Sequence, residues 1–263
     1  MKFTPLSLSS ALFFGLAIAG AAALDPNLPP SGNFDLTHWY LCLPVDASGG
    51  FTGPPRSVKT AALSAGYSKA PYFYTGKDGG MVFEVPWNGA NTSGAPRCEL
   101  RETHPDGSHF DWTPPSEGGT HLLEATCAVN VVGKGKVAIG QIHGKEPDIP
   151  TVMLRYDNTK SPSVIYVTVK KHPSDPVSQE RHDFPGVSLN APIRYELKMI
   201  GARNSLKLCV TVNGNTASFD MRDLAWLKTT QYFKAGAYYT VQENGVTAKV
   251  SYYDLTIRHS AGE

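Results

Sequence analysis

Past residue 23 the chain has no apolar run approaching the roughly 20 residues a helix needs to cross a bilayer, so no membrane partner is expected. It also lacks an excess of either charge, with 24 Lys and Arg against 23 Asp and Glu. A broad basic surface for nucleic acid is therefore not expected. No segment keeps apolar residues at helical spacing for three turns, and there is no repeat, low-complexity block or Pro/Ser linker. Only 4 cysteines occur, at Cys42, Cys98, Cys127 and Cys209, with spacings unlike a zinc site. What remains is one β-rich domain without an evident metal centre.

The first 23 residues have the pattern of a secretory signal. Lys2 supplies the positive start, an apolar stretch follows, and Ala21-Ala22-Ala23 offers a small-residue cleavage site. The mature protein is expected to span 24–263 as a single exported domain. Removing Lys2 leaves 23 basic and 23 acidic residues, so the mature chain is neutral. An oxidising compartment permits two disulfides among the four cysteines, in three pairings. Strand parity weakly groups Cys98 with Cys127 and Cys42 with Cys209. Asn91-Thr92-Ser93 is the one N-glycosylation sequon.

Short strands with alternating character run through the chain, punctuated by 25 Gly and 20 Pro. The first covers 34–44, with Trp39, Leu41 and Leu43 on one face. Others are expected over 72–74, 81–86, 97–102, 122–132, 136–143, 152–156, 163–170, 195–200, 206–213, 232–239 and 249–258. Asn213-Gly214 marks a tight turn. Short helices are expected near 60–65 and 222–227, and a long loop over 170–190. The pattern predicts an all-β sandwich or jelly roll, with the first and last strands a candidate pair closing it.

Three segments carry polar rows that a strand would align. In Arg97-Cys98-Glu99-Leu100-Arg101-Glu102, alternation puts Arg97, Glu99 and Arg101 on one face and Cys98 and Leu100 on the other. Such a row is either a solvated face with cross-strand ion pairs or a floor that grips an acidic ligand. In Gly140-Gln141-Ile142-His143-Gly144, Gln141 and His143 share a face and Ile142 opposes them. In Tyr232-Phe233-Lys234-Ala235-Gly236-Ala237-Tyr238, Tyr232, Lys234, Gly236 and Tyr238 share the polar face. Gly236 leaves a gap there where a ligand could approach the backbone.

Together, and in this order, the segments resemble the motifs of alginate lyases of polysaccharide lyase family seven. RCELRE is similar to R-x-E-L-R-E, GQIHG contains Q-I/V-H, and YFKAGAYY is similar to Y-F-K-A-G-x-Y. FDLTHWYLCLPVD and the Val212–Gly214 turn also fit. Tyr239-Thr240 depart from the Asn-Gln that often follows the third motif. The resemblance implies a β-jelly-roll sandwich of two curved antiparallel sheets with a concave substrate groove. It also implies metal-free, cofactor-free β-elimination on an acidic polysaccharide such as alginate, by a chain expected to act as a monomer. Ile in the second motif implies some preference for guluronate.

That chemistry explains the residue types. Removing the C5 proton of a uronate builds negative charge next to a carboxylate, so fixed donors must stabilise it. The resemblance assigns this to Arg97 and Gln141. A base must take the proton and an acid must protonate the departing C4 oxygen, and His143 and Tyr238 are the candidates on the inferred face. In guluronate the proton and the leaving oxygen lie on opposite faces, which suits His143 as base and Tyr238 as acid. In mannuronate they share a face, and Tyr238 could serve both steps. Glu99 is expected to orient an arginine, and Arg101 and Lys234 to hold flanking carboxylates. The competing readings are a lyase for another polyuronate, such as glucuronan, and a non-catalytic module that binds acidic polysaccharide. A two-carboxylate hydrolase is disfavoured, since Glu99 and Glu102 fall on opposite faces.

Overall fold

The computed structural model describes residues 23–262 except 93, 146–147, 179, 203–204 and 222–223. Residues 1–22 of the expected leader, and Ser93 of the sequon, lie outside the described residues. In chain order the strands are β1 Trp39–Cys42, β2 Ser57–Val58, β3 Phe73–Thr75, β4 Met81–Val85, β5 Arg97–Glu102, β6 Thr120–Val131, β7 Lys136–Gly144, β8 Pro150–Asp157, β9 Val164–Val169, β10 Glu180–Phe184, β11 Ile193–Ala202, β12 Ser205–Val212, β13 Asn215–Asp220, β14 Gln231–Val241 and β15 Ala248–Ser260. They form two antiparallel sheets of a jelly-roll sandwich. One has the order β10-β9-β8-β7-β14-β5-β1-β2, the other β13-β12-β11-β6-β15-β4-β3. The helices are short: Pro30–Asn33, Thr60–Ser64 and a 3-10 turn at Leu224–Lys228.

Alternation decides which side chains fill the space between the sheets. From the eight-stranded sheet come Trp39 and Leu41 of β1, Cys98 and Leu100 of β5, and Phe233, Ala235, Ala237 and Tyr239 of β14, all buried. The seven-stranded sheet answers with Phe83, Leu123, Tyr195, Leu197, Val250 and Tyr252, also buried. The outer face of the eight-stranded sheet is left to the polar rows. Asn213 and Gly214 turn β12 into β13 with φ of 48° and 83°, the left-handed pair such a hairpin needs.

Several sequence expectations are corrected. β1 pairs with β2 and β5, whereas β15 pairs with β4 and β6, so the first and last strands lie in different sheets. The 170–190 loop contains β10, an edge strand whose Glu180-Arg181-His182-Asp183 run has no apolar alternation to reveal it. Charge on an edge is how sheets avoid further pairing. All four cysteines are free thiols. Cys98 packs in the core and donates to the Tyr72 carbonyl at 3.3 Å. Cys127 is buried opposite Tyr252 in the other sheet. Cys42 sits in the electrostatic reach of Arg97, Lys234 and Glu99, and Cys209 lies beside Ser218 on the outside of the other sheet. Opposite outer faces of a sandwich cannot be bridged by a disulfide, which rules out Cys42 with Cys209.

A buried polar linkage shapes the centre of the groove sheet. The register between β7 and β14 shifts between Ala235 and Tyr238. Tyr252 reaches across the core from β15, accepts the Gly236 N–H at 2.9 Å and donates to the Ile139 carbonyl. Tyr195 of β11 donates to the same carbonyl at 2.8 Å. Gly236 holds φ of 139°, and a Cβ there would stand 2.7 Å from the Cys98 carbonyl oxygen and 2.9 Å from Glu99 Cα. The neighbouring strand thus by itself requires the glycine.

Candidate active site

Antiparallel pairing of β5, β14 and β7 brings the three motifs side by side. Arg97 stands opposite Tyr238, Arg101 opposite Lys234, and Lys234 opposite Gln141. Tyr232 stands opposite His143. Residues separated by more than half the chain therefore share one sheet face. A cavity of about 430 Å³ opens there, with Arg97, His143 and Tyr238 in its wall. Gln141 is on the same face but fully buried, below the cavity wall.

Glu99 is the hub of the floor. Its Oε1 accepts the Gln141 amide, and its Oε2 pairs with Lys234 and lies 3.9 Å from Arg97 Nη1. Burial pulls the Lys234 ammonium below its usual range, with Glu99 opposing that shift. Arg101 forms a 2.6 Å ion pair with Asp111 and stacks on Tyr232, its Cζ 3.8 Å from the ring centre. Arg101 and Lys234 thus already hold protein carboxylates.

His143 stacks on Tyr232 with ring centres 5.1 Å apart. Its Nδ1 lies 2.8 Å from the Gly144 carbonyl and 3.0 Å from the Tyr232 hydroxyl. A carbonyl can only accept, so Nδ1 carries the proton and Nε2 keeps its lone pair. Burial first, and then the Lys234 charge, lower the His143 pKa to about 4. The imidazole is therefore neutral at ordinary pH. Tyr232 donates to Asp148 at 3.3 Å, and burial pushes its hydroxyl well above the usual tyrosine range. Tyr238 lies under Arg97, whose Cζ is 4.1 Å from the ring centre.

Glu102 points the other way. It is fully buried, accepts from Trp112 Nε1 at 3.0 Å and from the Phe233 N–H at 2.9 Å, and meets His259 Nε2 at 2.6 Å. This carboxylate ties β14 and β15 to β5 and does not face the cavity. Tyr239, where the third motif departs from the familiar pattern, is buried in the core and donates to the Val132 carbonyl at 3.0 Å. Its side chain contributes nothing to the groove wall.

The sequence reading missed Asp111, which partners Arg101, because nothing in His109-Phe110-Asp111-Trp112 signals the approach. It also missed Arg155. Arg155 falls on the polar parity of β8 with Met153, and both line the cavity, so alternation alone could have found it.

The sequence profile of the family described as "Alginate lyase" matches residues 34–259. The chain belongs to the alginate lyase family. The structure of alginate lyase A1-II', a member of polysaccharide lyase family 7, is similar to this family member with a TM-score of 0.75 and 31% identity, over 88% of this chain and 99% of that one. A doubly substituted form of A1-II' solved with substrate GGMG has a TM-score of 0.76 and 30% identity over 90% and 99%. An alginate lyase from Pseudomonas aeruginosa has a TM-score of 0.74 and 27% identity over 86% and 100%. An alginate lyase from Klebsiella pneumoniae is 35% identical over 147 residues, or 45% of this chain. That alignment spans about half the length of the curated relative, 47% of it.

Proposed function

We propose that this alginate lyase family member is a secreted enzyme that cleaves 1,4-linked uronate chains by β-elimination. The observation that carries this reading is the opening of a neutral imidazole and a tyrosine hydroxyl onto one cavity beside an arginine. Arg97 takes the C5 carboxylate of the sugar to be cleaved. Gln141 donates to Glu99, which also lies beside Arg97, so it supports the carboxylate site from below the cavity wall. Charge that develops on the carboxylate as the proton leaves then meets donors already in place.

For guluronate, His143 Nε2 removes the C5 proton. The electron pair forms the C4–C5 double bond, the C4–O bond breaks, and the departing oxygen takes the Tyr238 proton. For mannuronate, Tyr238 serves from one face and neutral His143 supports it. The products are a new reducing end and a 4,5-unsaturated uronate, with no water consumed. Similarity to a structure solved with substrate GGMG supports an alginate substrate. The apolar N-terminal stretch with its small-residue end supports export.

The test is the initial rate of ultraviolet absorbance gain on polyguluronate, polymannuronate and glucuronan at equal uronate concentration. Absorbance growth on either alginate block, with unsaturated product masses, is the expected result. Growth confined to glucuronan would move the assignment to another polyuronate. Chain shortening with addition of water would make the enzyme a hydrolase, and binding without cleavage would make the chain a lectin-like module.

A further inference from the structure

The cavity continues past the catalytic groups onto β8 and β9. Strand register sets Arg97, Tyr238, Ala138, Arg155 and Tyr166 in one row across the sheet. Arg155 is thus two strands from Tyr238, with only the Ala138 methyl between, a separation of about 10 Å at ordinary strand spacing. A 1,4-linked uronate chain that crosses the strands presents a carboxylate on every sugar. Its neighbouring units must therefore pass over this row.

Arg155 is half-buried, and its Nη1 donates to Thr168 Oγ1 at 2.8 Å. Burial pulls its pKa down. Among the described residues no carboxylate is paired with it. Other cations on this face do have one: Lys136 holds Asp157 at 3.0 Å, Arg181 holds Asp183 at 2.5 Å, and Arg101 holds Asp111. Tyr166 is a neutral hydrogen-bond partner of the Arg155 side chain, and its ring is covered by Arg181 at 3.8 Å, against 5.6 Å for Arg155 Cζ, so the Arg155 charge is left without a counter-ion there. Lys170 lines the same cavity. Its residue is 2% exposed, and its Nζ is held by the Pro173 carbonyl at 2.6 Å, with Asp175 acting only at longer range. Two cations partly withdrawn from water and lining one cavity, with no carboxylate paired to either among the described residues, are the arrangement an anionic ligand relieves.

We infer that Arg155, oriented by Thr168 and backed by Lys170, forms an anion subsite that binds the carboxylate of a uronate flanking the cleaved bond. The inference rests on the uronate-lyase reading above and adds a binding residue outside the three motifs. It also assigns flanking-carboxylate recognition to the β8–β9 side of the groove, where Arg155 and Lys170 form no ion pair with a carboxylate among the described residues.

The experiment measures steady-state kinetics of the full protein and of Arg155→Gln and Arg155→Lys on oligouronates from trimer to hexamer. Loss of one charge-assisted contact predicts a rise in KM of about tenfold on the longer substrates, with kcat within about twofold. Arg155→Gln should also erase the step in kcat/KM that the wild type shows when the sugar reaching this subsite is added. Arg155→Lys should fall between. Thermal unfolding checks the fold. If Arg155→Gln fails to fold, Thr168→Val, which frees the guanidinium, should show a smaller KM rise with the same length signature. Unchanged length dependence, or an equal loss on every length, overturns the subsite. If the wild type forms no unsaturated product, the lyase reading falls. Calorimetric titration of hexamer into wild type and Arg155→Gln then still decides the subsite, since equal affinities overturn it.

Discussion

The guanidinium of Arg97 lies over the ring of Tyr238, with 4.1 Å between Cζ and the ring centre. The contact joins the residue proposed to hold the substrate carboxylate to the one proposed to transfer the proton. Tyr238→Phe keeps the ring and its stacking but removes the hydroxyl. It should lower kcat by about 10²–10⁴-fold, the range of a lost proton-transfer group. Initial rates by ultraviolet absorbance, beside thermal unfolding curves that match the wild type, provide the check. Near-normal turnover would remove Tyr238 from the chemistry.

The low pKa of His143, about 4, sets the acid side of the pH profile. Its base form persists until the pH falls through that value. The acid limb of kcat/KM on guluronate blocks should thus lie near pH 4, well below the ordinary histidine range. Stability has its own sign. The folded pKa lies below the unfolded one, so the unfolded chain binds more protons between about pH 6.5 and 4. Stability from this group is complete above about 6.5 and drains away as the pH falls to about 4. His121, also lowered to about 4 by burial and by His259, acts in the same direction. Melting temperatures from pH 7.5 to 4.5 should fall for the wild type and fall less for His143→Asn. A limb near 6.5 would refute the buried neutral imidazole.

Tyr252 stands in the opposite sheet yet supports the groove through Gly236 and Ile139. Tyr252→Phe leaves the buried Gly236 N–H without its acceptor, which should cost about 1–3 kcal/mol. The β14 segment between Lys234 and Tyr238 should relax as well, lowering kcat. Denaturant midpoints and rates test the pair of effects. Loss of stability without any change in kcat would mean that the linkage props the core but does not place Tyr238.

Ile142 is fully buried, between Phe233 and Val152 in register and away from the groove. Ile142→Val should cost about 1 kcal/mol of stability and let Gln141 and His143 shift slightly. The ratio of guluronate to mannuronate rates should fall by at most about tenfold, since one buried methylene carries no more than that. Block-polymer rates on both proteins give the answer. An unchanged ratio would detach substrate preference from this position.

Much of the site was legible before any coordinates, because alternation is local. Two-residue periodicity determined that Arg97, Glu99 and Arg101 share a face in RCELRE, that Ile142 turns away from Gln141 and His143 in GQIHG, and that Trp39, Leu41 and Leu43 share a face in FDLTHWYLCLPVD. The tertiary structure decided what the faces meet. The assignment of β1 and β15 to different sheets, the capture of Arg101 by Asp111, and the reach of Tyr195 and Tyr252 through the core depend on contacts between distant segments. No local pattern encodes those contacts. β10 stayed hidden because a charged edge strand has no buried face to impose alternation. The cysteines stayed ambiguous for a related reason: parity gives a side chain's face, but a disulfide also requires the right sheet and the right distance, and these come only from how the layers pack.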